Sequence, residues 1–166
     1  MERVQGSVDT MPIELINRYI GKYRIRWDFM VEDTEEGNMV SFLETEIISK
    51  RRPNIAEIKQ AVIGAINAKV DKEIMEGFEW NGMKVWLSTE NQFNYKAAYD
   101  LAIQTGGQTL PVVFKFGTSL EPIYYQFNNL EELGDFYYKA MQYISTTLAN
   151  GWKMKDNIDW SIYDTN

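Results

Sequence analysis

Phe78-Glu79-Trp80-Asn81-Gly82-Met83-Lys84-Val85-Trp86-Leu87 reads as a β-hairpin. Apolar and polar residues alternate on either side of Asn81-Gly82, and that dipeptide supplies the positive φ angles of a type I′ turn. A two-residue loop sets the register. Trp80 opposes Met83, Glu79 opposes Lys84 and Phe78 opposes Val85. One face then carries Phe78, Trp80, Met83, Val85 and Leu87, which suits a core. The other carries a Glu79/Lys84 ion pair and Trp86.

Downstream, Ser88 or Thr89 caps a helix that runs to about Thr105, where Gly106-Gly107 stops it. Its polar stripe is narrow: Gln92, Lys96, Asp100 and Gln104. Phe93, Ala97 and Leu101, together with Tyr95, Ala98, Tyr99 and Ala102, cover the rest. Such a helix is expected to be buried on more than one side, between layers or at an oligomer interface. A second hairpin follows, with Val112, Phe114 and Phe116 returning through Ile123, Tyr125 and Phe127 after a turn at Gly117–Pro122. Asn129 and Glu132 form a capping box for a helix with Leu130, Leu133, Tyr137, Ala140, Met141, Ile144 and Leu148 on one stripe. Gly151 is placed to end it. The segment after it, with Trp152, Ile158 and Trp160, packs back, and 161–166 is a tail.

Upstream, Asn54 and Glu57 make another capping box. Ile55, Ile58, Val62, Ile66 and Val70 recur at helical spacing up to about Gly77, with a break near Asp71. Before that lies a third hairpin. Tyr23, Ile25, Trp27, Phe29 and Val31 share one face of its first strand, Thr34-Glu35-Glu36-Gly37-Asn38 turns, and Met39 to Ile48 returns. The segment IELINRYIGK (13–22) is expected to form one or two helical turns, and residues 1–11 a flexible lead. Hairpin–helix therefore recurs along the chain, and 78–150 forms a ββαββα module. The expected class is α+β, with antiparallel sheets packed against helices. The expected divisions are a lead over 1–11, an N-terminal segment and hairpin over 12–53, an α+β domain over 54–160 and the tail.

Composition excludes much chemistry. The 166 residues contain no histidine and no cysteine. That removes Ser-His-Asp and Cys-His catalysis, HExxH metal sites, disulfides and thiolate metal centres. The net charge of −7 argues against nucleic acid, because the single basic cluster is Lys50-Arg51-Arg52. Residues 1–10 lack the apolar core of a signal peptide, and no apolar run approaches the ~20 residues that span a bilayer. The expectation is a soluble protein, cytoplasmic when synthesised, that binds neither nucleic acid nor membrane.

FEWNGMKVWLSTENQFNYKAAYDLA (78–102) resembles a domain of unknown function family, number 4376, seen in bacteria and their phages. The pattern associated with its Bacteroidetes-type members falls on Phe78, Trp80, Asn81, Gly82, Val85, Trp86, Leu87, Ser88, Glu90, Asn91, Gln92, Phe93, Asn94, Tyr95 and Lys96. LPVVFKFGTSLEPIYYQF, LEELGDFYYKAMQYI and GWKMKDNIDW also look like the family, so the resemblance covers about 54–160. It implies a phage or prophage protein, associated with a tail or virion, and it implies no catalytic residues.

ENQFNYK (90–96) is rich in amides. Glu90, Asn91, Gln92 and Asn94 can hydrogen-bond sugar hydroxyls while Trp86 or Tyr95 stacks on the ring. They equally suit an ordinary capped helix N-terminus. Trp80 belongs to the core, whereas Trp86 suits an interface, a ligand or ordinary packing. Asp100, Glu131, Glu132 and Asp135 are the carboxylates available for acid/base work, but pairing and capping account for them. The leading expectation is a non-enzymatic structural or assembly module that associates with other protein subunits, as a homo-oligomer. The alternative is a carbohydrate-binding module using Trp86, Glu90, Asn91, Gln92, Asn94 and Tyr95. No cofactor and no metal is expected.

Overall fold

The computed structural model describes residues 2–34 and 37–164. Its strands are β1 Val4–Gly6, β2 Ile13–Asn17, β3 Lys22–Thr34, β4 Gly37–Ile48, β5 Phe78–Trp80, β6 Met83–Val85, β7 Val112–Gly117 and β8 Pro122–Phe127. Its helices are α1 Ile55–Glu76, α2 Thr89–Gln104 and α3 Leu130–Asp156, followed by a 3-10 turn at Trp160–Tyr163. The class is α+β with antiparallel sheets. The chain divides into two compact units, Met1–Lys69 with Gly151–Asn166, and Val70–Asn150. The divisions fall inside α1 and α3.

In the first unit the sheet order is β1-β4-β3-β2. β3 and β4 form the expected hairpin, with Ile25 opposite Thr45 and Trp27 opposite Leu43. Of the expected turn at 34–38, Glu35 and Glu36 lie outside the described residues. Ile25, Trp27, Leu43, Ile58, Val62 and Ile66 are buried. The face expected along Tyr23–Val31 breaks after Trp27. A bulge between Trp27 and Met30, with Asp28 at φ 55°, inserts a residue and reverses the alternation. Phe29 then meets Phe42, with ring centroids 5.3 Å apart, and Val31 is 61% exposed.

Two N-terminal expectations are corrected. Val4–Gly6 is not part of a loose lead but pairs with Phe42–Val40 of β4. Its pairing is backbone, and a three-residue strand is too short to write an alternation. Arg3 adds an ion pair to Asp28 at 2.6 Å. Ile13–Asn17 is a strand, not helical turns, with Ile13 opposite Ile25 and Leu15 opposite Tyr23. Ile13, Ile16 and Ile20 have helical spacing, yet pairing with β3 satisfies more backbone groups than an isolated turn of helix can. Asn17 Oδ1 accepts the Tyr19 amide at 3.0 Å and begins the turn into β3.

α1 opens on the expected reciprocal box. Asn54 Oδ1 accepts the Glu57 amide at 3.0 Å, and Glu57 Oε2 accepts the Asn54 amide at 2.8 Å. The Asn54 amide holds the Glu57 carboxyl below its ordinary range. The helix continues unbroken through Asp71, which is exposed and adds no strain to a helix interior. α3 likewise runs past Gly151 to Asp156. That glycine is buried and helical, and one glycine costs only ~1 kcal/mol in a long helix. The chain then turns back and Ile158 is buried as expected, but Trp152 is exposed, and Tyr163, placed in the tail by the sequence, is buried with its hydroxyl donating to the Arg26 carbonyl at 2.7 Å.

The second unit is organised on Phe136 of α3, which is fully buried. Its ring centroid lies 5.1 Å from Phe127, 5.2 Å from Tyr95, 5.4 Å from Phe116 and 5.5 Å from Trp80. Phe114 at 5.8 Å and Phe78 at 6.2 Å complete the ring. Both hairpins and α2 thus converge on one side chain. β5 and β6 pair as the Asn-Gly turn requires, with Asn81 at φ 48° and Gly82 at φ 75°. No described helix is long and apolar enough to cross a membrane.

Candidate functional site

Trp86 follows β6 and precedes the N-cap of α2. Three contacts hold this junction. Asn91 Nδ2 donates to the Trp86 carbonyl at 2.8 Å, Gln92 Nε2 donates to the Leu87 carbonyl at 2.7 Å, and Ser88 Oγ accepts the Asn91 amide at 3.3 Å. The Leu87 amide donates to the Met75 carbonyl at 3.0 Å. Leu87 is buried below, and Trp86 is left 45% exposed. Among the described residues the Trp86 indole has no ring partner and no hydrogen bond of its own.

Trp86 lines a cleft of about 470 Å³ that lies wholly within the second unit. Lys84 and Asn91 line it from the Trp86 side. Glu76 lines it from the end of α1, and Lys115, Thr118 and Ser119 from β7 and its turn. Gly117, at φ 79°, starts that turn, and a Cβ there would fall 2.3 Å from the Glu121 carbonyl oxygen. Thr118 closes it: its amide donates to that carbonyl at 3.2 Å, and its Oγ1 accepts the Glu121 amide at 3.0 Å.

The expected Glu79/Lys84 ion pair does not form. The two residues are opposed as foreseen, but among the described residues neither Lys84 nor Lys115 is in an ion pair. Both side chains are exposed, and water solvates an ammonium group more cheaply than an exposed pair can hold it. The cleft therefore contains two unpaired cations, one carboxylate, one free indole, an amide and two hydroxyls.

The residues expected at a site separate. Trp86 and Asn91 meet in the cleft, Asn91 with one amide nitrogen already committed. The Gln92 amide is used on the backbone. Glu90 and Asn94 are exposed on the first turns of α2 but do not line the cleft. Tyr95 as a stacking ring is corrected: it is 3% exposed and packs on Phe114 at 4.7 Å. Burial raises its pKa to about 12. The unfolded phenol ionises near ~10, so above that pH the unfolded chain releases a proton that the folded chain retains. The Tyr95 contribution to stability is expected to be constant from neutral pH to about pH 10 and to fall toward pH 12, as urea midpoints measured across that range will show. Tyr95→Phe should lessen the decline and leave the part due to Tyr163, whose phenol is also pushed up by burial.

Within the chain α2 is not enclosed between layers. Only Tyr95 and Ala102 are buried, while Phe93 is 71% and Leu101 50% exposed. The carboxylates do not converge. Asp100 pairs with Lys96 and Asp135 with Lys139, both within α-helical turns. Glu132 accepts the Tyr125 hydroxyl, so it gives only half of the expected capping box: Asn129 Oδ1 takes the Glu132 amide at 2.9 Å. That bond raises the Tyr125 pKa. Among the described residues no group of acidic side chains is arranged to hold a metal.

Lys115, Thr118, Ser119 and Glu76 are not marked by the sequence as site residues, and Lys84 is marked only as a partner for Glu79. Alternation places Lys84 on the face of Trp86 and turns Lys115 away from Phe114 and Phe116, so both were accessible to the same reasoning. Their convergence was not, because it depends on β6 lying beside β7.

These features define an α+β chain whose second unit carries an open, mixed-charge cleft beside a capped helix. Residues 57–166 match the family model described as Domain of unknown function (DUF4376), and the chain belongs to that family. No curated protein and no solved structure matches it.

Proposed function

We propose that this chain is a non-enzymatic binding module that works by protein–protein association, as a homo-oligomer. The observation that carries this reading is the stripe Phe93, Ala97 and Leu101, exposed at successive i, i+4 positions of α2. An apolar stripe left on the outer face of a helix costs solubility unless a partner covers it. A role in a phage or prophage assembly, in a tail or virion, belongs to the same proposal, and the family resemblance supports it. Light scattering should report a mass above that of one chain, and Phe93→Asp with Leu101→Asp should return it to one chain. A strict monomer at high concentration would overturn the reading.

A second reading, carbohydrate binding, is favoured by the half-exposed Trp86 in its cleft. Indoles with polar neighbours are suited to the apolar face of a sugar ring, and a few convergent polar groups supply orientation. Trp86→Ala should abolish glycan retention without unfolding the chain, since Trp86 is outside the Phe136 cluster.

A further inference from the structure

We propose that the Trp86 cleft selects an acidic saccharide, with its carboxylate held by Lys84 and Lys115 and its ring against Trp86; this rests on the carbohydrate reading and deepens it. Two lysines on different strands line one cleft and neither has a carboxylate partner among the described residues. The chain carries a net charge of −7, and water alone solvates these two ammonium groups. Leaving both unpaired in the same concavity makes it a local positive region on an acidic protein, which favours an anion there over the rest of the surface.

The anion has a limited charge. Glu76, itself 4.0 Å from the Lys72 ammonium, stands on the same cleft, so the lining side chains sum to +1, which matches a single carboxylate and leaves most of a polyphosphate's charge uncompensated. The features that cradle phosphates are also missing. The first-turn amide of Asn91 is taken by the Ser88 hydroxyl, and Glu90 adds negative charge at the start of α2. Hydroxyl chemistry is well served instead. Ser119, the hydroxyl proton of Thr118, Asn91 Oδ1 and Glu76 offer donors and acceptors of both kinds. The Trp86 indole supplies an uncommitted apolar face and an N–H. A volume of about 470 Å³ lies in the range of small-ligand sites and admits one or two sugar rings.

Isothermal titration calorimetry on the full chain tests this with a diuronate, the corresponding neutral disaccharide and a nucleoside triphosphate. The diuronate is expected to bind at least tenfold more tightly than the neutral sugar, with the difference shrinking as salt rises toward a Debye length of ~3 Å at ~1 M. Lys84→Gln with Lys115→Gln should erase that difference. Both side chains are exposed, so the variant keeps its fold, which thermal unfolding will verify. Equal affinity for the two sugars would overturn the acidic preference and leave the carbohydrate reading standing. No binding of either sugar would overturn both, and tighter binding of the triphosphate would overturn the assignment to saccharides.

Discussion

Phe136→Ala is expected to destabilise the second unit by about 3–5 kcal/mol. The ring is fully buried and has six aromatic neighbours, drawn from β5, α2, β7 and β8. Two terms add. The removed ring carbons lose their transfer free energy, and the space left cannot collapse, because its walls are rigid rings fixed to separate elements. Ring-to-ring geometry contributes about 0.5–1.5 kcal/mol per pair beyond burial, and several such pairs go at once. Domains of this size are stable by only ~5–15 kcal/mol, so the variant should melt tens of degrees lower or be partly unfolded at room temperature. Guanidinium unfolding followed by near-ultraviolet circular dichroism measures it. Phe136→Leu keeps much of the volume and should lose less than half as much. A Phe136→Ala midpoint within error of the parent would refute the role given to this residue.

Arg26→Ala is expected to cost about 2–3 kcal/mol, below the ~3–5 of a fully buried pair. The guanidinium donates from Nε to Glu44 at 2.9 Å, from Nη1 to the Met11 carbonyl at 2.9 Å, and from Nη2 to Glu14. It also lies over the Phe42 ring, 5.3 Å from its centroid. Truncation strips a part-buried carboxylate and a main-chain carbonyl of their donor. Glu44 keeps a weaker partner in Arg24 at 3.4 Å, which limits the loss. Arg26→Lys retains the charge but not the fork, and should recover only part of it. The loss should be local to the edge of the sheet. Hydrogen exchange at the amides of Ile13 and Leu15 should quicken more than exchange in β4. Uniform acceleration across the sheet would count against this account, since β4 is also paired with β1.

Local chemistry made the second unit legible. Asn81-Gly82 dictates a hairpin with one register, Asn54 with Glu57 and Ser88 mark helix starts, and Phe114 with Phe116 alternate cleanly. In each case the determining residues are adjacent or a few positions apart. Where the reading failed, a partner distant in sequence decided. Ile13–Asn17 is extended because β3 accepts it, and Val4–Gly6 because β4 does. The bulge at Asp28 and Phe29 is a shift in the register of β3 against β4. Tyr95 has amide-rich neighbours that suggest ligand contact, yet three rings from other elements bury it.

The hairpin at Phe78–Leu87 shows the division most clearly. Its turn, its register and the assignment of Trp80 to the core and Trp86 to the other face were determined by the sequence alone, because a type I′ turn and a two-residue period leave one solution. Whether Trp86 would be covered was not. That depended on how β7 and the Gly117 turn come to rest beside β6, a packing outcome set by rings converging on Phe136. The same outcome brings Lys84 and Lys115 to one cleft. Period and turn chemistry act over a few residues and can be read along the chain, whereas a cleft is made by elements whose proximity only tertiary burial enforces.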